Sequence, residues 1–422
     1  MYTREASALD LFTDSVRCTG DATLCAVMEF DRKLDPGILK RAAQACLLAH
    51  PILHSRLVRG KGPAFWEMVD NVFVPSVHVE ECNGNYYPRI VGPVDPYGPL
   101  QFRVRLLRRP SGDSIVINLA HAAADAFGLH TLASQLLQEY KKPGSISPAN
   151  GGIPERDTHW TGRLVRVEKP VSRDIRVINP MWPDPFGTCR EPASFHRQCI
   201  SPGELEEIHA HAKALGGSIN DAVIAAYYLS ISDLTGYTKP IDIFFPVNLR
   251  QHLNDSSRVM SNQANNVCII LERKGDEGID EILSRVIEQT KRHKENGIGI
   301  REQVEMDRAS DPEGQNIHHM VEQMVALQNA GLADIFISNP GPITLPDIEG
   351  LLDAYVCYPG GYMPTTCFVT STFRGHMTVT MGYQNSERAR EGTRKAMDLF
   401  RHHLLSLGDG CLRSTSSNIV HG

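Results

Sequence analysis

The sequence lacks the three short motifs that most often reveal a cofactor or a nucleophile. It contains no G-x-G-x-x-G for a dinucleotide, no G-x-x-x-x-G-K-[ST] for a nucleotide phosphate and no G-x-S-x-G for a hydrolase serine. These absences remove the sequence evidence for a dinucleotide enzyme, a phosphate-loop NTPase and an α/β-hydrolase.

Long apolar runs and an excess of positive charge are also missing. No apolar stretch approaches the roughly 18 residues that a membrane span needs, and the N-terminus lacks the profile of a signal peptide. The formal net charge is -6, with no run of Lys and Arg that would attract nucleic acid. We expect a cytoplasmic protein with no membrane and no nucleic-acid partner.

Closely spaced cysteine pairs are absent, although the chain has 10 cysteines. No C-x-x-C occurs and several cysteines lie in apolar runs, so we interpret them as reduced core residues. Three pairs of neighbouring histidines lack the i, i+4 spacing that places two imidazoles on one helix face: 209/211, 318/319 and 402/403. We therefore expect no metal site.

The most informative stretch is residues 114–128, SIVINLAHAAADAFG. An apolar run with strand character ends at His121, Asp125 follows four residues later, and Gly128 precedes an amphipathic helical pattern. A loop between a strand and a helix can place polar side chains at the mouth of a cleft. With a pKa near neutrality, an imidazole there can accept a proton from an attacking hydroxyl or amine.

Spacing alone leaves two interpretations of this stretch open. His121 is either a general base or a hydrogen-bonded core histidine. Asp125 either contacts His121 directly or, at the start of the helix, holds the loop by pairing with an arginine from elsewhere. We favour the arginine pairing, because a carboxylate at a helix start is available to such a cation.

Length and pattern together predict a mixed α/β protein in two parts. A chain of 422 residues exceeds what one hydrophobic core usually serves. Pro, Gly, Ser and charged residues dominate the middle of the chain, which predicts a linker there. We divide the chain into an N-terminal part, 1–150, a linker, 151–190, and a C-terminal part, 191–422. Strands and helices are interspersed on both sides of the linker.

Capping signals predict where several helices begin. Asp35 followed by proline opens one helix, and Ser201 followed by Glu204 opens another as a capping box. The apolar segment 222–229 predicts a well-buried helix. We expect 295–316 to be mostly loop with some helix, and the tail from Cys411 to fray.

Seven segments, in order along residues 30–385, resemble the motifs of one superfamily: 34–43 (first helix), 49–57 (HP-L-R strand start), 119–128 (HHxxxDG), 218–226 (T-ND-LLAA), 245–250 (PVDLR), 265–267 (the segment after it) and 337–341 (SNLG). This superfamily contains nonribosomal-peptide condensation domains, polyketide-associated acyltransferases, wax ester synthases, plant and fungal H-x-x-x-D acyltransferases and chloramphenicol acetyltransferase. Together the seven segments are much more specific than any one of them.

The resemblance implies two chloramphenicol-acetyltransferase-like subdomains with a tunnel at their interface. It implies that His121 is the general base, that Arg250 pairs with Asp125, and that Gly128 supports the same turn. The oxyanion or the substrate would be contacted by Asn266, Ser338 and Asn339. For Asn266 and Ser338 the alternative is that each only holds its own loop.

Two positions depart from the HHxxxDG pattern. Ala120 stands where condensation domains have a first histidine, a change shared by many acyltransferases that act on free alcohols or amines. Ala126 stands where the family prefers glycine, and its methyl group would narrow the channel beside the catalytic turn. The plant-type D-F-G-W-G signature is missing, which favours the bacterial-type branches.

The resemblance implies an acyltransferase that moves an acyl group from a thioester, either acyl-CoA or a carrier-protein thioester, to an alcohol or amine. Its implied partners are a small-molecule acceptor and an acyl or peptidyl carrier protein, and a monomer is expected. No metal and no cofactor besides the thioester is implied. The alternatives are a non-catalytic relative that binds a carrier protein or small ligand, and a thioester hydrolase that uses water.

Overall fold

The structure is a computed structural model that describes residues 2–74, 77–149, 192–252, 260–329, 335–358 and 366–416. The described part contains three β-sheets and nine α-helices, which confirms the predicted mixed α/β class. The predicted linker, 151–190, lies outside the described residues.

Fourteen strands and nine helices make up the described part of the chain. The strands are β1 Thr3–Glu5, β2 Thr23–Phe30, β3 Ser55–Gly60, β4 Gly62–Met68, β5 His78–Glu81, β6 Phe102–Arg109, β7 Gly112–Ala120, β8 Pro192–Ile200, β9 Ile241–Asn248, β10 Ala264–Leu271, β11 Ile335–Ser338, β12 Leu351–Cys357, β13 Thr366–Phe373 and β14 His376–Gln384. The helices are α1 Ala8–Ser15, α2 Pro36–Ala49, α3 Ala126–Lys141, α4 Pro202–Ala214, α5 Ile219–Thr235, α6 Ile279–Glu295, α7 Ile300–Ala309, α8 Gln315–Asn329 and α9 Glu387–Ser416.

One five-stranded sheet, in the order β12-β2-β7-β6-β5, carries the 114–128 stretch. Its central strand β7 is buried along its whole length, and it pairs antiparallel with both β2 and β6. His121 directly follows this buried strand and is itself half-buried. The apolar residues of α2 and α3 join the same core.

The strand β12 joins this sheet although it lies far along the chain, between β11 and β13. It pairs antiparallel with β2, with Cys357 opposite Cys25. The division of the chain at 151–190 stays a prediction. The sheet shows that a segment from beyond that linker completes the N-terminal sheet, so the two parts are interlocked and not merely tethered.

A six-stranded sheet, in the order β10-β9-β11-β13-β14-β8, forms the second large layer. Helix α5 packs in its core, and the predicted burial of 222–229 is confirmed because all eight of these residues are buried. A helix that is apolar on all sides is stable only when it is covered all round. A small third sheet, β1-β4-β3, lies beside α1 and α2.

The predicted helix starts are confirmed at Asp35 and Ser201. Asp35 Oδ1 accepts hydrogen bonds from the first turn of α2, and Ser201 forms a capping box with Glu204. Helix α9 continues through Ser416, and residues 417–422 lie outside the described residues, so fraying of the tail stays a prediction. Segment 295–316 contains the three-turn helix α7, a larger helical share than expected.

No helix within the described ranges is both long and apolar enough to cross a bilayer. Among the same residues, no group of three or more His, Cys, Asp or Glu side chains could hold a metal ion. The eight cysteines whose side chains the structure describes are free, and the buried ones among them are Cys25, Cys46, Cys82 and Cys357.

Candidate active site

The turn between β7 and α3 holds His121. The Ala123 N–H donates to the carbonyl of Ala120 at 3.0 Å, so the chain reverses directly after the strand. Asp125 then caps α3, with its Oδ1 accepting from the Gly128 N–H at 3.1 Å. The strand end and the helix start therefore fix the backbone of His121 on both sides.

Asp125 and Arg250 form a buried ion pair between the two parts of the chain. Arg250 Nη1 donates to Asp125 Oδ2 at 2.6 Å, and the side chains are only 4% and 5% exposed. The same Oδ2 accepts from the Gln263 N–H at 2.8 Å, and Arg250 Nη2 donates to the Ser261 carbonyl at 2.8 Å. The Phe127 ring lies 4.5 Å from the guanidinium carbon. Of the two interpretations of Asp125, the structure therefore shows the arginine pairing.

Gly128 lies where α3 meets the loop that follows Arg250. A Cβ at this position would lie 2.7 Å from the Cβ of Ala124 and 3.3 Å from the Cγ of Met260. No side chain fits without displacing the rigid turn residue Ala124. Gly128 therefore supports the turn by allowing close approach, as well as through its hydrogen bond to Asp125.

The sequence reasoning missed Asn262, which lies in the same loop as Ser261 and Gln263. Its Nδ2 donates to the carbonyls of His121 and Ala122, each at 2.8 Å, and it also reaches Asp10 Oδ1 at 3.2 Å. The side chain is 4% exposed. The polar residues 261–263, just before β10, were the available signal, but only the neighbouring segment 265–267 matched a family segment.

Burial lowers the pKa of the His121 imidazole below its ordinary value. Four weaker influences raise the pKa again: the backbone of His121 itself, the Asp125 carboxylate, the Ala124 backbone and the Asn262 side chain. The imidazole is therefore neutral near pH 7 and is able to accept a proton. Its Nδ1 is buried in the turn.

A cavity of about 140 Å³ adjoins His121. Its walls are the end of β7, the start of β2, helix α1 and the loop at 93–96, with Arg17 and Asp21 as charged lining residues. Because Nδ1 is buried, Nε2 is the ring nitrogen available to a molecule in this cavity. His121 is half-buried, so it is not sealed in packing.

All the residues that line this cavity belong to the N-terminal part. The tunnel at the interface of the two parts therefore stays a prediction. Ala120 lines the cavity at the position of the missing first histidine, whereas Ala126 starts α3 and is not among the described lining residues.

The structure does not connect Asn266, Ser338 and Asn339 to the His121 turn through any hydrogen bond that it describes. Asn266 lies in β10, where its N–H donates to the neighbouring Asn265 side chain. Ser338 ends β11, and the Asn339 side chain accepts from the Gly341 N–H at 3.1 Å within its own loop. Their contact with an oxyanion or substrate stays a prediction.

No protein-family model matches the chain, and no curated protein sequence matches it either. Solved structures do match along nearly the whole chain. Polyketide synthase associated protein 5 from Mycobacterium tuberculosis superposes with a TM-score of 0.68 at 16% identity, covering 96% of this chain and 97% of that one. The first condensation domain of the CDA synthetase superposes with a TM-score of 0.67 at 14% identity, covering 96% of each chain.

The epimerization domain from the third module of tyrocidine synthetase B also superposes, with a TM-score of 0.63 at 13% identity and 98% coverage of each chain. At these identities the likeness shows the fold. This chain has the condensation-domain fold of two chloramphenicol-acetyltransferase-like subdomains, and the predicted superfamily resemblance is confirmed at the level of fold.

Proposed function

We propose that this protein transfers an acyl or peptidyl group from a thioester to an alcohol or amine, with His121 as the general base. The observation that carries the proposal is the half-buried His121 ring at the wall of a cavity, with Nδ1 buried; burial also lowers the pKa of this imidazole. The condensation-domain fold supports acyl or peptidyl transfer as the class of reaction.

In the proposed reaction, His121 Nε2 accepts the proton of the acceptor as its oxygen or nitrogen attacks the thioester carbonyl. The tetrahedral intermediate then collapses and the C–S bond breaks. The departing thiolate takes the proton back from the imidazolium, so the enzyme returns to its starting state. A lowered pKa favours this last step, because a less basic imidazole releases its proton more readily.

The turn itself offers no serine or cysteine that could attack the thioester first, since Ala120 and the three residues after His121 are all alanine. Direct attack by the acceptor is therefore the simpler scheme, without a covalent enzyme intermediate. Asp125 and Arg250 contribute to this reaction only by holding the turn that contains His121. Asn266, Ser338 and Asn339 are candidates for binding the oxyanion.

The direct test is a matrix of thioester donors and small acceptors read by intact-mass analysis. Donors are acyl-CoA of several chain lengths and acyl groups on a phosphopantetheinylated carrier protein, and acceptors are alcohols and amines. An ester or amide product, absent without enzyme, is the expected result. Free acid released at the same rate with and without acceptor would instead indicate a thioester hydrolase.

The cavity size favours one second candidate, a protein of the same fold that only binds. At about 140 Å³ the cavity beside His121 is smaller than the roughly 300 Å³ at which drug-sized ligand sites begin. A protein that consumes no thioester in the whole matrix but binds a carrier protein, measured by titration calorimetry, would be this non-catalytic relative.

A further inference from the structure

Among the described residues, two charged side chains line the cavity beside His121, and they are Arg17 and Asp21. Strand register brings Asp21 close to the histidine. Strand β2 begins at Thr23, which pairs with Ala120 at the end of β7. Asp21 precedes this pair and His121 follows it, so both residues lie just beyond the same end of the antiparallel ladder.

The Asp21 carboxylate is fixed in position but lacks a counter-charge. Its Oδ1 accepts a hydrogen bond from the Thr23 N–H at 2.9 Å, which holds the carboxylate at the start of β2. Among the described residues, no Lys, Arg or His side chain forms an ion pair with Asp21. Burial raises the pKa of this carboxyl, and the opposing influences of Thr23, Arg103 and Arg17 do not cancel that effect. A cation in the cavity would therefore meet a negative charge that the protein compensates only in part.

Arg17, by contrast, already has anionic partners. Its Nη1 lies 3.3 Å from the buried Asp14 carboxylate, and its Nη2 lies 3.5 Å from Asp95. The guanidinium carbon also lies 5.4 Å from the centre of the Tyr97 ring. An anionic group of a ligand would have to compete with both carboxylates for this guanidinium. The cavity wall therefore offers a better site for a cation, at Asp21, than for an anion.

The cavity volume indicates which substrate would carry the cation. At about 140 Å³ the cavity suits a small acceptor and is too small for the long arm of CoA or of a carrier protein. In the proposed reaction, the attacking oxygen or nitrogen of the acceptor must reach His121 Nε2. A second group on the same small molecule then lies within reach of Asp21, because both residues line one cavity.

We propose that Asp21 is a specificity-determining residue that binds a protonated amine on the acceptor, next to the hydroxyl or amine that attacks the thioester. The acceptor class is thus a small amino alcohol or diamine. The consequence for turnover rests on the proposed function. The binding of a cation beside His121 does not, and it can be measured without any thioester.

Two alcohols of the same shape test the proposal. Dimethylaminoethanol is protonated near neutral pH, and isoamyl alcohol has a CH group in place of the NH⁺ group. In a mixture of equal concentrations, with the best donor of the thioester matrix, the ratio of the two esters gives the ratio of kcat/KM values. We expect the wild-type protein to favour dimethylaminoethanol by about 10- to 100-fold, the range for a hydrogen bond to a charged partner.

Asp21→Asn keeps an oxygen for the Thr23 N–H and should bring this ratio close to unity. The matched control is Asp95→Asn, because Asp95 also lies beside Arg17 but is exposed and is not among the described lining residues. We expect the control to keep the wild-type ratio. A wild-type protein without the preference, or an Asp21→Asn protein that keeps it, would overturn the proposal. An equal loss in Asp95→Asn would do the same, because general negative charge would then account for the preference.

Titration calorimetry with the two alcohols and no thioester separates this inference from the proposed function. We expect dimethylaminoethanol to bind the wild-type protein more tightly than isoamyl alcohol does, and Asp21→Asn to remove the difference. Equal or undetectable binding of the two alcohols would overturn the inference. If the wild-type protein transfers no acyl group, the proposed function fails, while the calorimetry still decides whether Asp21 binds the cation.

Discussion

Changing either Asp125 or Arg250 alone should strongly lower the free energy of unfolding. Changing both should lower it by much less than the sum of the two single losses. The two side chains are almost completely buried and lie 2.6 Å apart. Arg250→Met leaves a buried carboxylate that accepts only from backbone N–H groups, and Asp125→Asn leaves a buried guanidinium facing a neutral amide. Each single variant should therefore lose about 3 to 5 kcal/mol in the free energy of unfolding.

The double variant Asp125→Asn/Arg250→Met holds no unpaired charge. Asparagine keeps an oxygen for the Gly128 N–H, so most of the helix cap survives. Methionine loses the hydrogen bond to the Ser261 carbonyl, a loss of about 1 to 3 kcal/mol for a buried acceptor. We therefore expect the double variant to be at least about 2 kcal/mol more stable than the sum of the two single losses predicts.

Urea unfolding followed by circular dichroism measures all four proteins of this cycle. An exposed pair, Arg292 and Glu288, provides the control, and its removal should leave the unfolding midpoint unchanged. If a single variant is too unstable to purify while the double variant folds, the two losses are again not additive, as predicted. Losses that simply add, or an Arg250→Met protein as stable as the wild type, would refute the reasoning.

Three further predictions follow from close contacts and buried histidines. Gly128→Ala should lower the free energy of unfolding, measured in urea, by about 1 to 3 kcal/mol, because its methyl group meets Ala124. The control Gly203→Ala has open space at its Cβ and should show no measurable loss. Equal losses in the two variants would contradict this prediction. Burial lowers the pKa of His130 from 6.5 to about 4, so below about pH 6.5 the unfolded chain binds a proton that the folded chain excludes, and stability falls by up to about 1.4 kcal/mol per pH unit. His130→Leu should flatten the dependence of unfolding free energy on pH between those two values, and an unchanged slope would contradict that assignment. Because burial also lowers the pKa of His121, the acid limb of kcat/KM should have its midpoint below about 6.5, and a midpoint above that value would count against His121 as the buried base.

Much of the site could be predicted, because a short, local pattern encodes the turn and the family resemblance suggested its distant partner. An apolar strand, a histidine and a carboxylate at a helix start predicted the turn, and the order of matching segments suggested Arg250 as the partner of Asp125. The structure brings these two residues together. Strands and helices on both sides of the linker predicted the mixed α/β class, and the superposed structures confirm the fold.

What the sequence did not reveal depends on contacts between segments far apart in the chain. Asn262 contacts carbonyl groups more than a hundred residues away, and no local spacing indicates which polar residue of a loop will do so. Strand β12 pairs with β2, although the predicted linker lies between them in the sequence and assigned them to different parts of the chain. Glycine is needed at position 128 because a Cβ there would lie too close to Ala124 and Met260. A glycine within a helical sequence pattern does not reveal this close packing.

The central claim is that the His121 imidazole accepts the proton of the attacking acceptor. Its most direct test is the rate of product formation by His121→Ala, with the best donor and acceptor from the thioester matrix, beside a thermal unfolding curve. The account predicts a rate lower by about 100- to 10,000-fold in a protein that remains folded. A folded His121→Ala protein that forms product at nearly the wild-type rate would contradict it.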